Sequence, residues 1–490
     1  MPQLPDALYS IAQMRELDRR AIEKHKIAAR ELMVRAGAAA WQSLRRHWPK
    51  AKHIVVFAGA GNNAGDGYVL ATLAQRAKCR VTVVTPGAGA RLSGIAGAAR
   101  KRYLALKGKE QRFTGTLPAD VDMIVDALFG SGLDRPLQDR WLEAVQVMNA
   151  AGRPIVSLDI PSGLHAGSGA ALGAAVHASV TVSFIALKPG LFTGDGPACC
   201  GEVELVGLKV PAKAFADIAP AARLIADGEA HLPRRQRSAH KGNFGHVLVI
   251  GGDHGMAGAV RLTAEAALRT GAGLVSVVTR PLHVSGLLAG LPEAMVLGTD
   301  DPTDVTALLA RATIVAIGPG LGQSDWARIL LARVLDTPLP LVVDADALNL
   351  LAAHPLTRGQ WILTPHPGEA GRLLQRSIAQ VQKDRLQAAV QIAEKYRAVA
   401  VLKGAGSIVA EAQDTPAICR HGNPGMAGPG MGDALTGVIA ALVAQGLPLA
   451  EAARAGVELH ALAGDQAARS GERGLLARDL IAALRGLVNR

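Results

Sequence analysis

The stretch from His53 to Thr85, H-I-V-V-F-A-G-A-G-N-N-A-G-D-G-Y-V-L-A-T-L-A-Q-R-A-K-C-R-V-T-V-V-T, decides the fold class. His53–Ala58 is a short apolar run of strand type, and a glycine-rich loop follows it. Residues 68–78 have helical spacing, and Arg80–Thr85 is a second β-branched run. Strand, helix and strand in quick succession predict a parallel sheet with helices on its faces. The alternation extends in both directions. Residues 10–47 read as two amphipathic helices, one carrying Ile11, Met14, Leu17 and Ile22, the other Leu32, Met33, Ala36, Trp41 and Leu44. Further strands are predicted at residues 123–126, 154–158, 179–184 and 202–206.

Between residues 209 and 233 this pattern decays into alanines, prolines and mixed charge, ending in the basic run Arg234-Arg235-Gln236-Arg237. A domain boundary near residue 222 follows, giving domains 1–221 and 222–490, each a doubly wound three-layer α/β fold. The second series has strands at 246–250, 274–278, 314–317, 341–344, 361–364 and 398–402, with helices at 258–270 and 378–396. It ends in G-M-A-G-P-G-M-G-D-A-L-T-G (Gly425 to Gly437), where a glycine loop and one acid precede an apolar helix over 434–443. Glycines let backbone N–H groups approach a ligand, and a helix N-terminus adds partial positive charge, so this loop suits an anion. An acid at that place, Asp433, points to work on a proton beside a bound nucleotide. The tail from Glu458 reads as amphipathic helix. No residue repeat relates the halves, which read as unrelated domains in one chain.

Composition excludes several function classes. Charged residues are 19% of the chain and apolar ones 49%, which argues against long disordered regions. The net charge of +12 comes with no dense Lys/Arg run and only 3% aromatics, so nucleic acid is not the expected partner. Cys79, Cys199, Cys200 and Cys419 have neither metal-ligand nor disulfide spacing, which fits a reducing cytoplasm. Arg15, Glu16, Asp18, Arg19 and Arg20 break any signal-peptide core, and no apolar run is long enough to span a membrane.

In the first half, three strand ends carry acids. Asn62, Asn63, Ala64, Gly65 and Asp66 follow the first strand; Asp126 closes the next and precedes A-L-F-G-S-G-L-D-R-P; Asp159 closes a third and precedes Ile160-Pro161-Ser162-Gly163. Open α/β sheets bind ligands at such carboxyl ends. One acid at a strand end is often only a helix cap or turn residue, whereas three converging on one edge indicate a site. N-N-A-G-D-G, D-A-L-F-G-S-G-L-D-R-P and S-L-D-I-P-S-G, spanning about residues 50–190, resemble the YjeF N-terminal family of NAD(P)H-hydrate epimerases. The resemblance implies a Rossmann-like domain that contacts the hydrated dinucleotide through Asn62 to Asp66, through Gly130, Ser131, Gly132, Leu133, Asp134, Arg135 and Pro136, and through Asp159. It implies Asp159 as the acid–base group, and a potassium ion held by Asn63 and Asp126 with Ser162. Ser131 stands where threonine is common and keeps the hydroxyl.

The second half carries H-K-G-N-F-G-H-V-L-V-I-G-G, G-P-G-L-G, D-A-D-A-L-N, T-P-H-P-G-E, K-G-A-G-S and the glycine loop, each beginning at the end of an apolar run. These resemble the ribokinase-like superfamily, most closely its ADP/ATP-dependent NAD(P)H-hydrate dehydratases. The resemblance implies that Lys403, Gly404, Ala405, Gly406, Ser407 and Gly432 bind ADP or ATP, with Mg2+ possible. It implies that Ala259, Gly320, His366 and Asp433 contact the hydrated dinucleotide, with Asp433 handling the hydroxyl's proton. Ser407 replaces a usual threonine, and Pro429 removes one backbone donor from the loop. Together the resemblances imply a bifunctional enzyme acting on hydrated NADH and NADPH (NADHX and NADPHX), expected as a homo-oligomer. A ribokinase-like small-molecule kinase fused to a nucleotide-binding module is the alternative enzyme. A non-catalytic nucleotide-binding or lipoprotein-partner module is disfavoured by the acids at 66, 126, 159 and 433.

Overall fold

A computed structural model describes residues 4–87, 92–229 and 232–489. The chain divides into two compact units, Met1–Arg223 and Leu224–Arg490. The first holds a sheet of seven strands in the order Lys109–Arg112, Arg80–Thr85, His53–Ala58, Met123–Ala127, Ile155–Leu158, Val180–Phe184, Glu202–Val206. Every pairing in it is parallel. Successive side chains of a strand face opposite ways. Ile54 and Val56 accordingly join one core cluster with Leu17, Leu44 and Leu70, while Val55 and Phe57 join another with Val145 and Met148. Helices Ile11–Glu23, Ala29–His47 and Asn62–Arg76 supply the first cluster, and Asp139–Ala150 the second. That is the predicted three-layer arrangement.

The helix expected over 68–78 begins earlier, at Asn62, capped by Gly61 in extended conformation. The Asn-Asn-Ala-Gly-Asp-Gly string is therefore its first two turns and not a loop. Its glycines serve close packing: a Cβ at Gly65 would lie 2.6 Å from Met33 Sδ, and one at Gly67 2.6 Å from Ala127 Cβ. Strand Lys109–Arg112 and helices Gly94–Ala105 and Asp139–Ala150 were not anticipated. The strand is wholly polar (K-E-Q-R) because it forms the sheet's edge.

The second unit orders its strands Ala417–Ile418, Ile408–Ala410, Val399–Leu402, Trp361–Leu363, Leu341–Val343, Ile314–Ile317, His246–Ile250, Leu274–Thr279, Met295–Gly298. Pairing is parallel from Val399–Leu402 to Met295–Gly298, and the other two strands turn back antiparallel. Val247 and Val249 pack under helices Ala257–Thr270 and Met431–Ala444 with Val260, Ala264, Leu435 and Ile439. The helix expected over 378–396 is broken. Ile378–Lys383 ends at Asp384, whose carboxylate caps Arg385–Tyr396 by accepting from Gln387 N at 3.0 Å. The amphipathic tail is two helices, Leu449–Ala467 and Ala477–Leu487. No helix among the described residues is long and apolar enough to cross a membrane.

In both units the strand order reverses beside the first long strand, and the two loops leaving that point are pressed together: a Cβ at Gly59 would lie 1.8 Å from Leu128 O, and one at Gly251 2.1 Å from Pro319 O. The next loop along the second sheet is packed as closely. Gly318 has φ +124°, and a Cβ there would fall inside the radius of Asp344 O and 3.0 Å from Ala347 Cβ. Gly318→Ala is expected to destabilise the second unit by roughly 2–4 kcal/mol. Gly486, in open space on an exposed helix face, gains up to about 1 kcal/mol as alanine. Urea unfolding of the two variants should move in opposite directions.

Candidate active sites

The first site is built at the carboxyl ends of Met123–Ala127 and Ile155–Leu158. Asp126 is fully buried and accepts from Leu128 N (3.2 Å), Ser157 Oγ (2.9 Å), Ser162 N (2.8 Å) and Ser162 Oγ (2.6 Å). Burial still outweighs these donors and raises its pKa above the usual carboxylate range. Asp159 takes the left-handed conformation, φ +66°, a strained state for a non-glycine residue. One carboxylate oxygen accepts from Ser131 N at 3.0 Å and the other pairs with Lys188 Nζ. Lys188 is completely buried and also donates to Ser183 Oγ at 2.9 Å. Burial opposes the charge on Asp159, but the Lys188 ammonium and the Ser131 donors outweigh it and hold the carboxyl below its usual range.

A cavity of about 560 Å³ opens in front of this pair. Of the residues expected there, Asn62, Asn63, Asp66, Asp159 and the run Gly130 to Arg135 line it. Ala64 is buried in the core, Gly65 packs on Met33, and Pro136 is exposed outside the lining. Two further acids face the same space. Burial, reinforced by the charges of Asp159 and Asp18, pushes Asp66 well above the usual range. Asp18 also borders the cavity; the residue as a whole is exposed, yet burial of its carboxyl and then Asp159, against Lys188, push it up to about 6. Sequence reasoning missed Asp18 and Lys188. Neither belongs to the quoted motifs, and Lys188 sits in an ordinary-looking L-K-P-G turn.

Asn63 bears on the expected cation. Its side chain is buried at 7% exposure, and both amide atoms lack a hydrogen-bond partner. Its Cβ lies beside Gly130, which also abuts Asp159 Oδ2. An orphaned amide oxygen near a buried carboxylate fits a hard monovalent cation. Ser162 Oγ, which donates to Asp126 or to Phe129 O (3.1 Å), can turn its proton to the carbonyl and leave a lone pair free.

The second site repeats the plan. Lys403, at the end of Val399–Leu402, donates from Nζ to Asp344 Oδ1 at 2.5 Å and lies 3.9 Å from Glu369 Oε2. Thr436 Oγ1 donates to Asp344 Oδ2 at 2.9 Å. Burial opposes both charges of the pair, yet each partner stabilises the other: Asp344 is held below its usual range and Lys403 above. Burial raises Glu369 to about 7. The anion loop departs from expectation, because Met431–Ala444 starts before Ala434 and takes Gly432 and Asp433 into its first turn. Gly430, φ +81°, is its N-cap, and no side chain caps the first-turn N–H groups. A Cβ at Gly432 would sit 3.2 Å from Lys403 Nζ, so the free N–H groups and the ammonium face one place. Burial and the charge of Asp344, against Lys403, push half-buried Asp433 up to about 6.

His366 is an N-cap as well as a site residue. Its Nδ1 accepts from Gly368 N at 2.9 Å, which leaves the proton on Nε2, 3.2 Å from Glu369 Oε1. Burial and then Lys403 lower its pKa, so the ring is neutral at pH 7. Ala259 and Gly320 meet: a Cβ at Gly320 would lie 3.2 Å from Ala259 Cβ. The loop of Gly320 is tied to Asp346 through Gly322 N, which donates to Asp346 Oδ2 at 2.9 Å. Gly404 to Ser407 form the tight turn between Val399–Leu402 and Ile408–Ala410, with Ser407 Oγ accepting from Gly404 N at 3.3 Å. Buried Arg385 donates to Lys403 O at 3.1 Å behind that turn. A cavity of about 1320 Å³, bordered by Arg234, Arg235, Arg269 and Arg485, lies by Phe244 at the amino ends of the strands, away from these acids.

Comparison with known proteins agrees with both halves. Residues 29–190 match the family model of the YjeF-related protein N-terminus, and 247–485 that of NAD(P)H-hydrate dehydratase. The chain is 49% identical to the bifunctional NAD(P)H-hydrate repair enzyme Nnr of Coxiella burnetii, over 98% of this chain and 99% of that one. It is 43% identical to the enzyme of the same name in Escherichia coli K12, over 99% and 95%. Among solved structures, a ribokinase-like superfamily protein from Enterococcus faecalis V583 is similar over 53% of this chain and 92% of its own, with 31% identity and a TM-score of 0.50. A hypothetical protein from Streptococcus mutans is similar over 54% and 98%, with 30% identity and a TM-score of 0.51. With both family models in order along it and near-complete coverage by such relatives, the chain belongs to the bifunctional NAD(P)H-hydrate repair enzymes.

Proposed function

We propose that residues 1–221 interconvert the R and S forms of NADHX and NADPHX, and that residues 222–490 dehydrate the S form to NADH or NADPH with ADP or ATP as coupled nucleotide. One observation carries the reading. Each unit sets an aspartate ionised by a lysine largely withdrawn from water beside a second acid pushed toward protonation, at the carboxyl ends of parallel strands. Carboxyls driven apart in this way are how one site both takes and gives protons near neutrality.

In the epimerase site the substrate's C6 carries a hydroxyl beside a ring nitrogen. Asp159, held ionised, accepts the hydroxyl proton, which lets the ring open at that carbon and close on the other face. The loop from Gly130 to Arg135, with Asn62, Asn63 and Asp66 at the start of the helix, orients the dinucleotide. Potassium would be held by Asn63 and Asp126 with Ser162, and would supply positive charge to the floor of the site. In the dehydratase site the first-turn N–H groups of Met431–Ala444, Lys403 and the Gly404 to Ser407 turn would hold the nucleotide's phosphates. Mg2+ accompanying it would find hard oxygen donors in Asp346 and Glu369. Ala259, Gly320 and neutral His366 flank the hydrated ring; Asp433 takes the hydroxyl's proton as that oxygen attacks the nucleotide's terminal phosphoryl group, and the phosphate so formed then leaves C6 with loss of a C5 proton, giving NADH or NADPH. The four free thiols, three of them buried, support placement in the reducing cytoplasm.

The test is to follow NADH absorbance from each purified NADHX isomer, with and without ADP or ATP. Nucleotide-dependent recovery from the S form and complete consumption of both forms are expected; phosphorylation of a sugar alcohol without recovery of NADH would sink the reading. Lys188→Met should cut epimerisation by about 10²-fold or more while S-form dehydration continues. Asp433 works ionised, so dehydration should fall as pH drops through about 6. Asp433→Asn should lower it by about 10²–10⁴-fold at every pH and leave epimerisation intact. Replacing potassium by tetramethylammonium should slow epimerisation in the native chain, and Asn63→Ala should abolish that dependence.

A further inference from the structure

Opening a hemiaminal ring needs two proton carriers in opposite states. Asp159, tied to Lys188 and Ser131 N, is the acceptor, and two other carboxyls border the same cavity as candidate donors: Asp66, within the glycine-rich motif, and Asp18, outside every motif. Helix Ile11–Glu23 supplies a stripe to the cavity wall, Met14, Asp18 and Ile22, spaced four residues apart on one face. An acid between two apolar residues of a cavity wall is not there for packing. Nor is it there for a surface ion pair. Arg19 pairs with Glu16 and Glu23, and Arg20 with Glu16, while Asp18 makes no hydrogen bond or ion pair among the described residues. It also lies before residues 29–190, the part matched to the YjeF-related family.

We propose that Asp18 is a catalytic residue of the epimerase site, the proton donor that complements Asp159. The C6 hydroxyl proton passes to Asp159 and the hydroxyl oxygen becomes a carbonyl. The C6–N bond breaks, its electron pair stays on the ring nitrogen, and that nitrogen takes the proton of Asp18. Rotation of the freed carbonyl and the reverse transfers close the other stereoisomer and return both carboxyls to their starting states, so no co-reactant is consumed. The raised affinity of Asp18 for its proton, caused by burial and by Asp159, is in keeping with this role. Asp66, the competing donor, lines the same cavity but is the less exposed of the two residues.

The inference rests on the epimerase reading of the first unit, and the chain supplies its own control. R-form NADHX is given to the full chain with ADP or ATP, and S-form dehydration is measured in the same preparation. Asp18→Asn should lower kcat for epimerisation by about 10²-fold with KM within about threefold, and leave S-form dehydration unchanged. Asp18→Glu, which keeps the carboxyl, should retain well over the activity of the asparagine variant. Asp18→Asn active within about threefold of the native chain, or impaired through KM alone, would overturn the proposal. So would equal losses in the asparagine and glutamate variants, since the carboxyl would then not be what matters. A native chain unable to epimerise at all would instead sink the epimerase reading itself.

Discussion

Each half of this chain depends on a lysine ammonium and an aspartate carboxylate locked together below the mouth of a parallel sheet. Lys188 with Asp159 and Lys403 with Asp344 are both largely withdrawn from water. Withdrawing one such charge alone costs several kcal/mol, and breaking a buried pair leaves the survivor uncompensated at about 3–5 kcal/mol. The pair therefore persists only because the fold delivers both members to one point. The backbone bears strain to do so: Asp159 itself, and Ala345 next to Asp344, hold positive φ. In return, one carboxylate stays charged at a fixed place while its neighbours Asp66 and Asp433 are driven the other way.

The two halves reached this arrangement on different sheets. The first places its lysine just after the strand Val180–Phe184 and its aspartate after Ile155–Leu158, with those strands adjacent. The second draws its lysine from the end of Val399–Leu402 and its aspartate from the end of Leu341–Val343, with Trp361–Leu363 between them. Long side chains and the convergence of strand ends make both spacings workable. The sites then differ in what lies by the pair: the unpartnered Asn63 amide and the Ser183 hydroxyl in one, a helix N-terminus with free N–H groups in the other.

Much of this was legible in the sequence, for identifiable reasons. Strands buried on both faces are continuous apolar runs, so His53–Ala58, His246–Ile250 and Ile314–Ile317 stand out at their true limits. Acids ending such runs advertise a site. Glycine was the misleading letter: at 65 and 67 it was read as loop, whereas it lets one helix lie close on its neighbours. Asp384 broke a helix whose apolar period runs straight through it, because capping of the next helix outweighed continuity. Lys188 and Asp18 were illegible because neither burial nor a shared cavity has a local pattern. A lysine in a turn and an aspartate on a charged helix look solvated until the fold surrounds them.

The strand Lys109–Arg112 has a last consequence. A sheet rim with unpaired amides invites another chain to dock and continue the ladder, and natural proteins guard against this with charge. Here the outermost strand is four polar residues, Lys109, Glu110, Gln111 and Arg112, and Glu110 is further occupied by Arg100 and Tyr68. Copies of this chain that assemble are thereby steered away from joining sheets along that border, and must meet through helices or loops instead.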